Sequence, residues 1–239
     1  MKYDNSNFIR RALLKEMKDG EFANLDRLPR ELELAKRYNI SRNQLREILA
    51  GLEREGFITR LHGVGTLINQ HVLQVKNRMD IEVEFMDMIR QNGYEPDIAE
   101  VSVTEELATA DIAEKLQVEE GAELLKVSRV CTADGHPAIY CEDYLAKNLV
   151  KQAYSLRDLE LPIFHFLKTC CYTESYMDLT QLKAVLADEN MARMLQIAEG
   201  TPLLKMEETD YDINGSVVFY SEQYFINTYF EQTVLRKKL

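Results

Sequence analysis

The sequence contains no tryptophan, only five prolines and four histidines among its 239 residues, and no long hydrophobic run. No apolar stretch approaches the ~20 residues that a transmembrane helix needs, so the sequence does not predict a membrane-spanning protein. The N-terminal segment is charged and amphipathic, unlike a secretory signal. We therefore expect a cytoplasmic protein.

Cysteine is also scarce, and its spacing is uninformative for metal binding. The four cysteines are Cys131, Cys141, Cys170 and Cys171, and they include no Cys-x-x-Cys pair. A structural zinc site needs ligand pairs at characteristic spacings, which the scattered histidines do not provide either. The sequence therefore predicts reduced, mostly buried thiols, no metal site and no cofactor.

Charge is distributed unevenly along the chain, whose net charge is −11 at pH 7. Residues 1–70 contain 13 Lys and Arg against 10 Asp and Glu, a net charge of +3, and the remaining residues carry −14. Basic charge concentrated in one segment is typical of nucleic-acid binding, whereas the acidic remainder would repel phosphate. With 46% hydrophobic residues and room for two modest domains, the chain is expected to be globular.

Residues 28–68 predict a winged helix-turn-helix. Apolar residues at helical spacing predict a helix that ends near Gly20, and a second helix follows Pro29. Ser41 and Gln44 form an S-x-x-Q capping box, which marks the start of a third helix. Two short strands, residues 57–61 and 66–68, then flank the turn His62-Gly63-Val64-Gly65. Two helices joined by a tight turn and followed by such a hairpin suit entry into a DNA groove.

The first turns of the third helix carry the residues that suit base recognition. Leu45 and Ile48 begin an apolar stripe, which is expected to leave Arg42, Asn43, Gln44 and Arg46 on the exposed first turns. Arginine can bind guanine through two hydrogen bonds, and asparagine or glutamine suits adenine. Two alternatives stay open. Arg42 and Arg46 are only part of a solvent-exposed helix face without a DNA contact, or His62 is only an exposed loop histidine without a DNA contact.

These motifs resemble the winged-helix domain of the GntR family of bacterial transcription regulators. The matching residues are Leu28-Pro29-Arg30-Glu31, Leu34-Ala35, Ile40-Ser41-Arg42, Leu45-Arg46, Leu52, Gly56, Ile58 and Gly63-Val64-Gly65-Thr66. Arg30 replaces a small residue of the family pattern and Val64 a wing residue that is often basic, so phosphate contacts are expected to differ. The DNA contacts implied are Arg30, Ser41, Arg42, Asn43, Gln44, Arg46, His62 and Gly63.

The C-terminal half contains an internal duplication. Residues 112–127 (IAEKLQVEEGAELLKV) align with residues 191–206 (MARMLQIAEGTPLLKM), and each copy continues into a hairpin turn, Asp134-Gly135 or Asn214-Gly215. Asp111 and Asn190 are expected as matching helix N-caps. Two such copies predict a mainly antiparallel sheet with approximate two-fold symmetry and helices on one face. The predicted fold is α+β: residues 1–69 a DNA-binding domain, 70–79 a linker, and 80–239 an effector-binding and dimerisation domain.

Strand periodicity gives a candidate ligand site in this half. Tyr140, Glu142 and Tyr144 share one face of a predicted strand, and Arg129 is expected roughly opposite Tyr140 on the same face. A mixed Arg and Glu site framed by tyrosines could bind a polar small molecule. A structural ion pair at the sheet surface is the alternative. In the second copy Tyr220, Glu222 and Tyr224 correspond to Tyr140, Glu142 and Tyr144, and Glu208 takes the place of Arg129.

This half resembles the UTRA effector-binding domain of the HutC subfamily, whose fold is similar to chorismate lyase. The matching residues are Arg129, Asp134, Gly135 and Pro137, then Tyr140, Glu142, Tyr144 and Leu145, and later LQIAEGTPLL. The resemblance, with the strand pattern, gives the effector candidates Arg129, Tyr140, Glu142, Ser175, Tyr176, Glu222, Tyr224 and Tyr229. A helix is expected over residues 80–91, and its acidic start argues against a sugar-phosphate effector.

Together these features predict a DNA-binding transcription regulator, a repressor, controlled by a small-molecule metabolite. A homodimer would place two winged helices on a pseudo-palindromic operator. No catalytic residues are predicted, so the chain is not expected to be an enzyme. Two alternatives stay open: an enzyme domain similar to chorismate lyase fused to a DNA-binding head, and an interaction module with a degenerate winged helix.

Overall fold

The structure, a computed structural model, describes the backbone of residues 2–237 and the side chains of residues 6–237. It divides into two compact units. The first contains the described residues up to Glu82 together with those from Gln232 onward, and the second is Val83–Glu231. The tail from Gln232 thus lies in the first unit, whereas the sequence analysis placed it in the C-terminal domain. None of the described helices is long and apolar enough to cross a membrane.

The first unit is a three-helix bundle with a two-stranded wing and a short linker. Its elements in order are α1 (Lys2–Lys18), α2 (Glu31–Arg37), α3 (Arg42–Arg54), β1 (Ile58–Leu61), β2 (Gly65–Ile68), α4 (Gln70–Leu73) and β3 (Asn77–Arg78). The apolar stripes of α1 and α3 meet in one core, where Leu13, Leu45 and Leu52 are fully buried. The predicted capping box at Ser41 is confirmed, since Ser41 Oγ accepts from Gln44 N and Gln44 Oε1 accepts from Ser41 N.

The second unit is built around a six-stranded antiparallel sheet. Its elements are α5 (Phe85–Gln91), β4 (Pro96–Leu107), α6 (Ala110–Leu116), β5 (Glu123–Ala133), β6 (His136–Ala146), α7 (Leu156–Leu159), α8 (Ile163–Phe166), β7 (Met177–Leu186), α9 (Glu189–Leu195), β8 (Pro202–Tyr211) and β9 (Val217–Phe225). The strand order is β4-β5-β6-β9-β8-β7. A last short strand, β10 (Gln232–Thr233), belongs to the first unit and pairs with β3.

The strand order confirms the predicted antiparallel sheet and its internal symmetry. The copies α6-β5-β6 and α9-β8-β9 meet at the central strands β6 and β9, where Glu142 lies directly opposite Glu222. Gln117 and Gln196 end the two repeat helices in the same left-handed conformation. The predicted helix caps were wrong by two residues: Thr109 and Asp188 cap these helices, because the free backbone donors lie three residues after them.

Helices cover both faces of this sheet, so the prediction of helices on one face was wrong. The repeat helices α6 and α9 pack on the face that carries Tyr140, Glu142 and Tyr144, which we call the tyrosine face. The segment 156–171 packs on the other face, which carries Arg129 and which we call the arginine face. This segment contains α7, α8 and a π-helical turn, Leu167–Cys171, and is too short and irregular to show a helical period.

The helix expected over residues 80–91 begins at Phe85, so its predicted start was wrong. Asp80 precedes the helix and pairs with Arg78, which makes it part of the linker rather than a charge at a helix N-terminus. The start of the helix is nevertheless acidic, because Glu84 is its N-cap residue and Asp87 lies in its first turn, so the expectation of no sugar-phosphate effector stays a prediction. The predicted end of the helix is confirmed, because it ends at Gln91, with Asn92 as its C-cap residue and Gly93 in the left-handed conformation that follows.

Candidate nucleic-acid interface and effector site

The first turns of α3 are presented to solvent. Leu45, Leu49 and Leu52 bury the opposite side of the helix in the core. The side chains of Arg42 and Arg46 are 58% and 54% exposed, and Asn43 is exposed between them. The amphipathic pattern of the helix thus determines which residues can reach a ligand outside the domain.

One carboxylate from α2 lies beside both arginines. Glu31 Oε2 is 2.8 Å from Arg46 Nε and 3.9 Å from Arg42 Nη2. Exposed ion pairs of this kind stabilise a protein by only about 0–1 kcal/mol. Glu31 can therefore orient the two guanidinium groups without binding them so strongly that a phosphate or base edge cannot replace it.

The cap and the wing complete this surface. Ser41 is exposed, whereas Gln44 is half-buried and uses its side-chain oxygen in the cap. Arg30 is exposed directly before α2, and its side chain makes no cap hydrogen bond. The wing tip His62-Gly63-Val64 is exposed, and the left-handed φ of +74° at Gly63 suits a residue without a Cβ. The structure thus places all eight predicted DNA-contacting residues in one unit.

Two arginines that the sequence analysis did not single out hold the wing in place. Arg27 Nη1 donates to the carbonyl of Val64 in the wing tip at 3.2 Å. Arg60 Nε and backbone N donate to the Glu53 carboxylate at 2.7 Å and 2.8 Å, which ties β1 to α3. The wing therefore has a defined position relative to the recognition helix. Nothing in the local pattern marks Arg27, because its partner is a distant carbonyl.

The arginine face of the sheet contains a buried charged pair. Arg129 and Asp143 form an ion pair, and their side chains are 5% and 3% exposed. Arg129 Nη1 also donates to the carbonyl of Leu161 at 3.1 Å. Burial lowers the pKa of Arg129 and the Asp143 carboxylate raises it, with a net upward shift that keeps the guanidinium charged. Arg129 Nε is buried and has no hydrogen-bond partner in the described part of the chain.

Hydrogen bonds extend this pair across the face. Ser221 Oγ donates to Asp143 Oδ1 at 2.7 Å, and Gln223 Nε2 donates to Glu208 and, at 3.4 Å, to Ser221. Ser175 Oγ donates to Asp210 Oδ1 at 2.6 Å on the adjoining strand β8. The sequence analysis missed Asp143, Ser221 and Gln223. Their signal was available, because each lies one position from Glu142 or Glu222 and must point to the other face.

The predicted site that combined Arg129 with Glu142 was wrong. In the β5–β6 hairpin Arg129 pairs with Cys141, and Glu142 pairs with Ser128. A one-residue difference in register reverses the face on which a side chain lies. Arg129 and Glu142 therefore project from opposite faces of the sheet.

On the tyrosine face, Glu142 and Glu222 each sit in a matching set of partners. Glu142 accepts from the hydroxyls of Tyr140 at 2.6 Å and Tyr144 at 3.0 Å, and pairs with Lys126 at 2.8 Å. Glu222 is bound in the same way, with Tyr220 at 3.0 Å, Tyr224 at 2.8 Å and Lys205 at 3.0 Å. Burial raises the pKa of Glu142 and Lys126 lowers it, with a net downward shift. Both carboxylates are thus neutralised by internal partners, as expected for structural ion pairs.

The other effector candidates lie apart from these groups. Tyr176 is 64% exposed, and Tyr229 packs edge-on against Tyr94 with ring centroids 5.4 Å apart. The structure therefore groups Tyr140, Glu142, Glu222 and Tyr224 on one face, and Arg129 on the other. Among the described residues no cluster of His, Cys, Asp or Glu is arranged to hold a metal ion, and the four cysteines are free and buried.

Comparison with known proteins gives two family matches. The family "Bacterial regulatory proteins, gntR family" matches residues 5–68, and the UTRA domain matches residues 91–231. The histidine utilization repressor of Pseudomonas putida is 26% identical over 200 residues, which cover 82% of this chain and 77% of that protein. The transcriptional repressor NagR of Bacillus subtilis (strain 168) is 25% identical over 229 residues, which cover 91% and 88%.

A solved structure shows the same fold over nearly the whole chain. The possible transcriptional regulator YydK from Bacillus subtilis subsp. subtilis str. 168 superposes with a TM-score of 0.74. It is 20% identical, and the match covers 98% of this chain and 99% of that one. The winged helix and the six-stranded sheet therefore occur together in another chain of similar extent.

Proposed function

Because the chain belongs to the GntR family of bacterial regulators and carries a UTRA domain, we propose that it is a transcription repressor whose operator binding responds to a small molecule. The observation that carries this proposal is the exposed first turn of α3, with Arg42 and Arg46 side by side at its capped end. Two relatives that are named repressors support the direction of regulation. Binding to a bacterial operator would place this action in the cytoplasm.

We assign base recognition to α3 and backbone contacts to its surroundings. Arg42, Asn43 and Arg46 would enter the major groove, where arginine can bind guanine and asparagine adenine. Ser41 and Gln44 fix the start of the helix, and the wing residues His62 and Gly63 would contact the sugar-phosphate backbone of the DNA next to the major groove. Arg30, at the start of α2, would contact phosphate. Glu31 then exchanges its two ion pairs for contacts between the arginines and DNA.

We place the effector on the arginine face. Arg129 supplies a buried cation with one donor unused, and Asp143, Ser221 and Gln223 supply further polar groups beside it. A ligand with an anionic group and hydroxyl or amine donors would match this set. Ser175, bonded to Asp210, borders the same face. The tyrosine-face residues Glu142 and Glu222 would instead brace the sheet, because no buried polar atom of that face is without a hydrogen-bond partner among the described residues.

A panel of carboxylates and sugar phosphates in a thermal-shift assay tests this placement. The ligand that stabilises the wild type should fail to stabilise Arg129→Lys, because lysine keeps the charge but loses the planar donor pair. Lys126→Arg, on the tyrosine face, is the matched control and should respond as the wild type does. If Glu142→Gln abolishes the response and Arg129→Lys keeps it, the site is on the tyrosine face instead. We propose binding without turnover, which recovery of unchanged ligand would support.

We propose a homodimer on a pseudo-palindromic operator. A two-fold dimer presents two copies of α3, so its half-sites should form an inverted repeat. The effector would act by binding more tightly to one arrangement of the two heads than to the other. DNA selected from a random pool by the wild-type chain should converge on an inverted repeat, and its affinity should fall steeply with salt. A pool that shows no enrichment would refute the repressor proposal.

A further inference from the structure

The end of the chain folds back onto the DNA-binding unit. Residues 232–237, which we call the C-terminal strap, begin with β10, which pairs in parallel with β3 of the linker. Gln232 lies opposite Asn77 and Thr233 opposite Arg78, and Met79 N donates to the carbonyl of Thr233 at 2.9 Å. Leu235 N then approaches the Asp80 carboxylate at 3.4 Å. The strap is therefore hydrogen-bonded to the linker along most of its length.

Beyond this pairing the strap reaches the C-terminal end of the recognition helix. Lys237 Nζ donates to the carbonyl of Glu53 at 2.6 Å and to the carbonyl of Arg54 at 2.9 Å. The last carbonyls of a helix have no partner within the helix and carry its negative dipole end. The Glu53 carbonyl also accepts from Gly56 N at 3.0 Å, so the ammonium group adds a second hydrogen bond there, gives the Arg54 carbonyl a donor and places a positive charge at the negative end of the helix. Lys237 thus acts as a C-cap supplied from 183 residues further along the chain.

Gly56, the second residue after the helix, lies against the strap. Gly56 has a left-handed φ of +83°, which a residue with a side chain adopts only under strain. A methyl group at Gly56 would lie 2.5 Å from Leu235 Cδ2 and 3.1 Å from Lys237 Cε. Gly56 is therefore required for the turn out of α3, and the absence of a Cβ there also leaves room for the ends of the Leu235 and Lys237 side chains.

A buried arginine joins the strap, the linker and the helix end into one layer. Arg78 lies next to Thr233 in register, is 5% exposed, and pairs with Asp80. Its guanidinium lies over the ring of Phe57, 4.9 Å from the centroid, directly after the turn at Gly56. Cation–π contacts of this kind are stronger when the cation is desolvated. Movement of the strap would consequently disturb the residues that follow α3.

The chain leaves the first unit after Glu82 and returns to it at Gln232. We propose that the C-terminal strap positions the recognition helix for DNA binding, with Lys237 as the capping residue. The chain segment that enters Val83–Glu231 contains β3, and the segment that leaves it begins with β10. These two strands are paired, so pulling the two segments apart must break the β3–β10 pairing and withdraw Lys237 from the helix end. The strap thereby offers a physical route by which the second unit can change DNA affinity. This inference rests on the proposed DNA-binding function.

Two neighbouring cations allow a matched test in the full-length protein. Lys237→Ala removes the cap, and Arg236→Ala removes the same charge one residue earlier, from an exposed side chain. Using DNA selected by the wild type, we expect Lys237→Ala to bind about two- to fivefold more weakly, given the usual effect of a charge at a helix end. Arg236→Ala should bind within about twofold of the wild type, and Lys237→Arg should restore most of the affinity. Truncation after Glu231 should weaken binding further than truncation after Lys237.

The salt dependence distinguishes positioning from direct contact. A lysine that binds a phosphate contributes about 0.9 to the slope of log affinity against log salt. Lys237→Ala should leave that slope unchanged and should raise amide hydrogen exchange over residues 51–58. Equal affinity and exchange in Lys237→Ala and the wild type would overturn the inference, as would a reduced slope. If the wild type selects no DNA, the repressor proposal fails, and unchanged exchange over residues 51–58 would then overturn the strap's role independently.

Discussion

Removing either partner of the Arg129–Asp143 pair should destabilise the second unit strongly. In Arg129→Met, Asp143 would remain 3% exposed with Ser221 as its remaining hydrogen-bond donor among the contacts described above. Leaving one charge of a buried pair without its partner typically costs about 3–5 kcal/mol. Asp143→Asn should cost less, because the amide oxygen can still accept one hydrogen bond from Arg129. The double variant should lose less than the sum of the two, with a coupling of about 1–3 kcal/mol.

Urea unfolding followed by tyrosine fluorescence measures this coupling. The protein has no tryptophan, and ten of its twelve tyrosines lie in Val83–Glu231, so the signal reports mainly on the second unit. Lys126→Met is the control on the tyrosine face, where the pair with Glu142 is less buried. Strictly additive losses, or a loss below about 1 kcal/mol in Arg129→Met, would refute the view that this face is organised around a desolvated ion pair.

Three further predictions follow from named contacts. Ser41→Ala should destabilise the first unit by about 1 kcal/mol through loss of the α3 cap, measured by thermal unfolding, whereas Ser41→Asp should retain most of that stability. Burial raises the pKa of Cys171 to about 11 and of Cys131 to about 12, so iodoacetamide at pH 8 should modify these thiols only after denaturation; mass spectrometry showing rapid native labelling would contradict this. Because the folded pKa of Glu142 is lowered, its stabilising contribution is present above about pH 4 and is lost as pH falls through the folded pKa, so Glu142→Gln should show a shallower decline in acid.

The DNA-binding unit could be predicted closely because its signals are local. The cap at Ser41, the apolar stripe that follows it and the glycines of the wing act within a few residues of one another. The duplication likewise predicted the sheet and its symmetry, because matching turns such as Asp134-Gly135 fix where the strands reverse. In both cases the pattern and the structure depend on the same short-range geometry.

The effector face could not be derived in the same way. Which side chains share a face depends on the cross-strand register, and the expected pairing of Arg129 with Tyr140 was one residue from the observed pairing with Cys141. The C-terminal strap was missed for a different reason. Its contacts join Lys237 to Glu53 and Arg54 across most of the chain, and a six-residue extended segment has no periodicity to reveal a partner.

The most direct test of the repressor proposal is a mobility-shift titration of Arg42→Ala and Arg46→Ala on the DNA selected by the wild type. Each variant should lose about tenfold or more in affinity, as expected when one bidentate base contact is removed. Arg157→Ala, an exposed arginine of the second unit, carries the same charge change and should bind normally. Wild-type affinity in both α3 variants, with their folding intact, would contradict recognition by this helix.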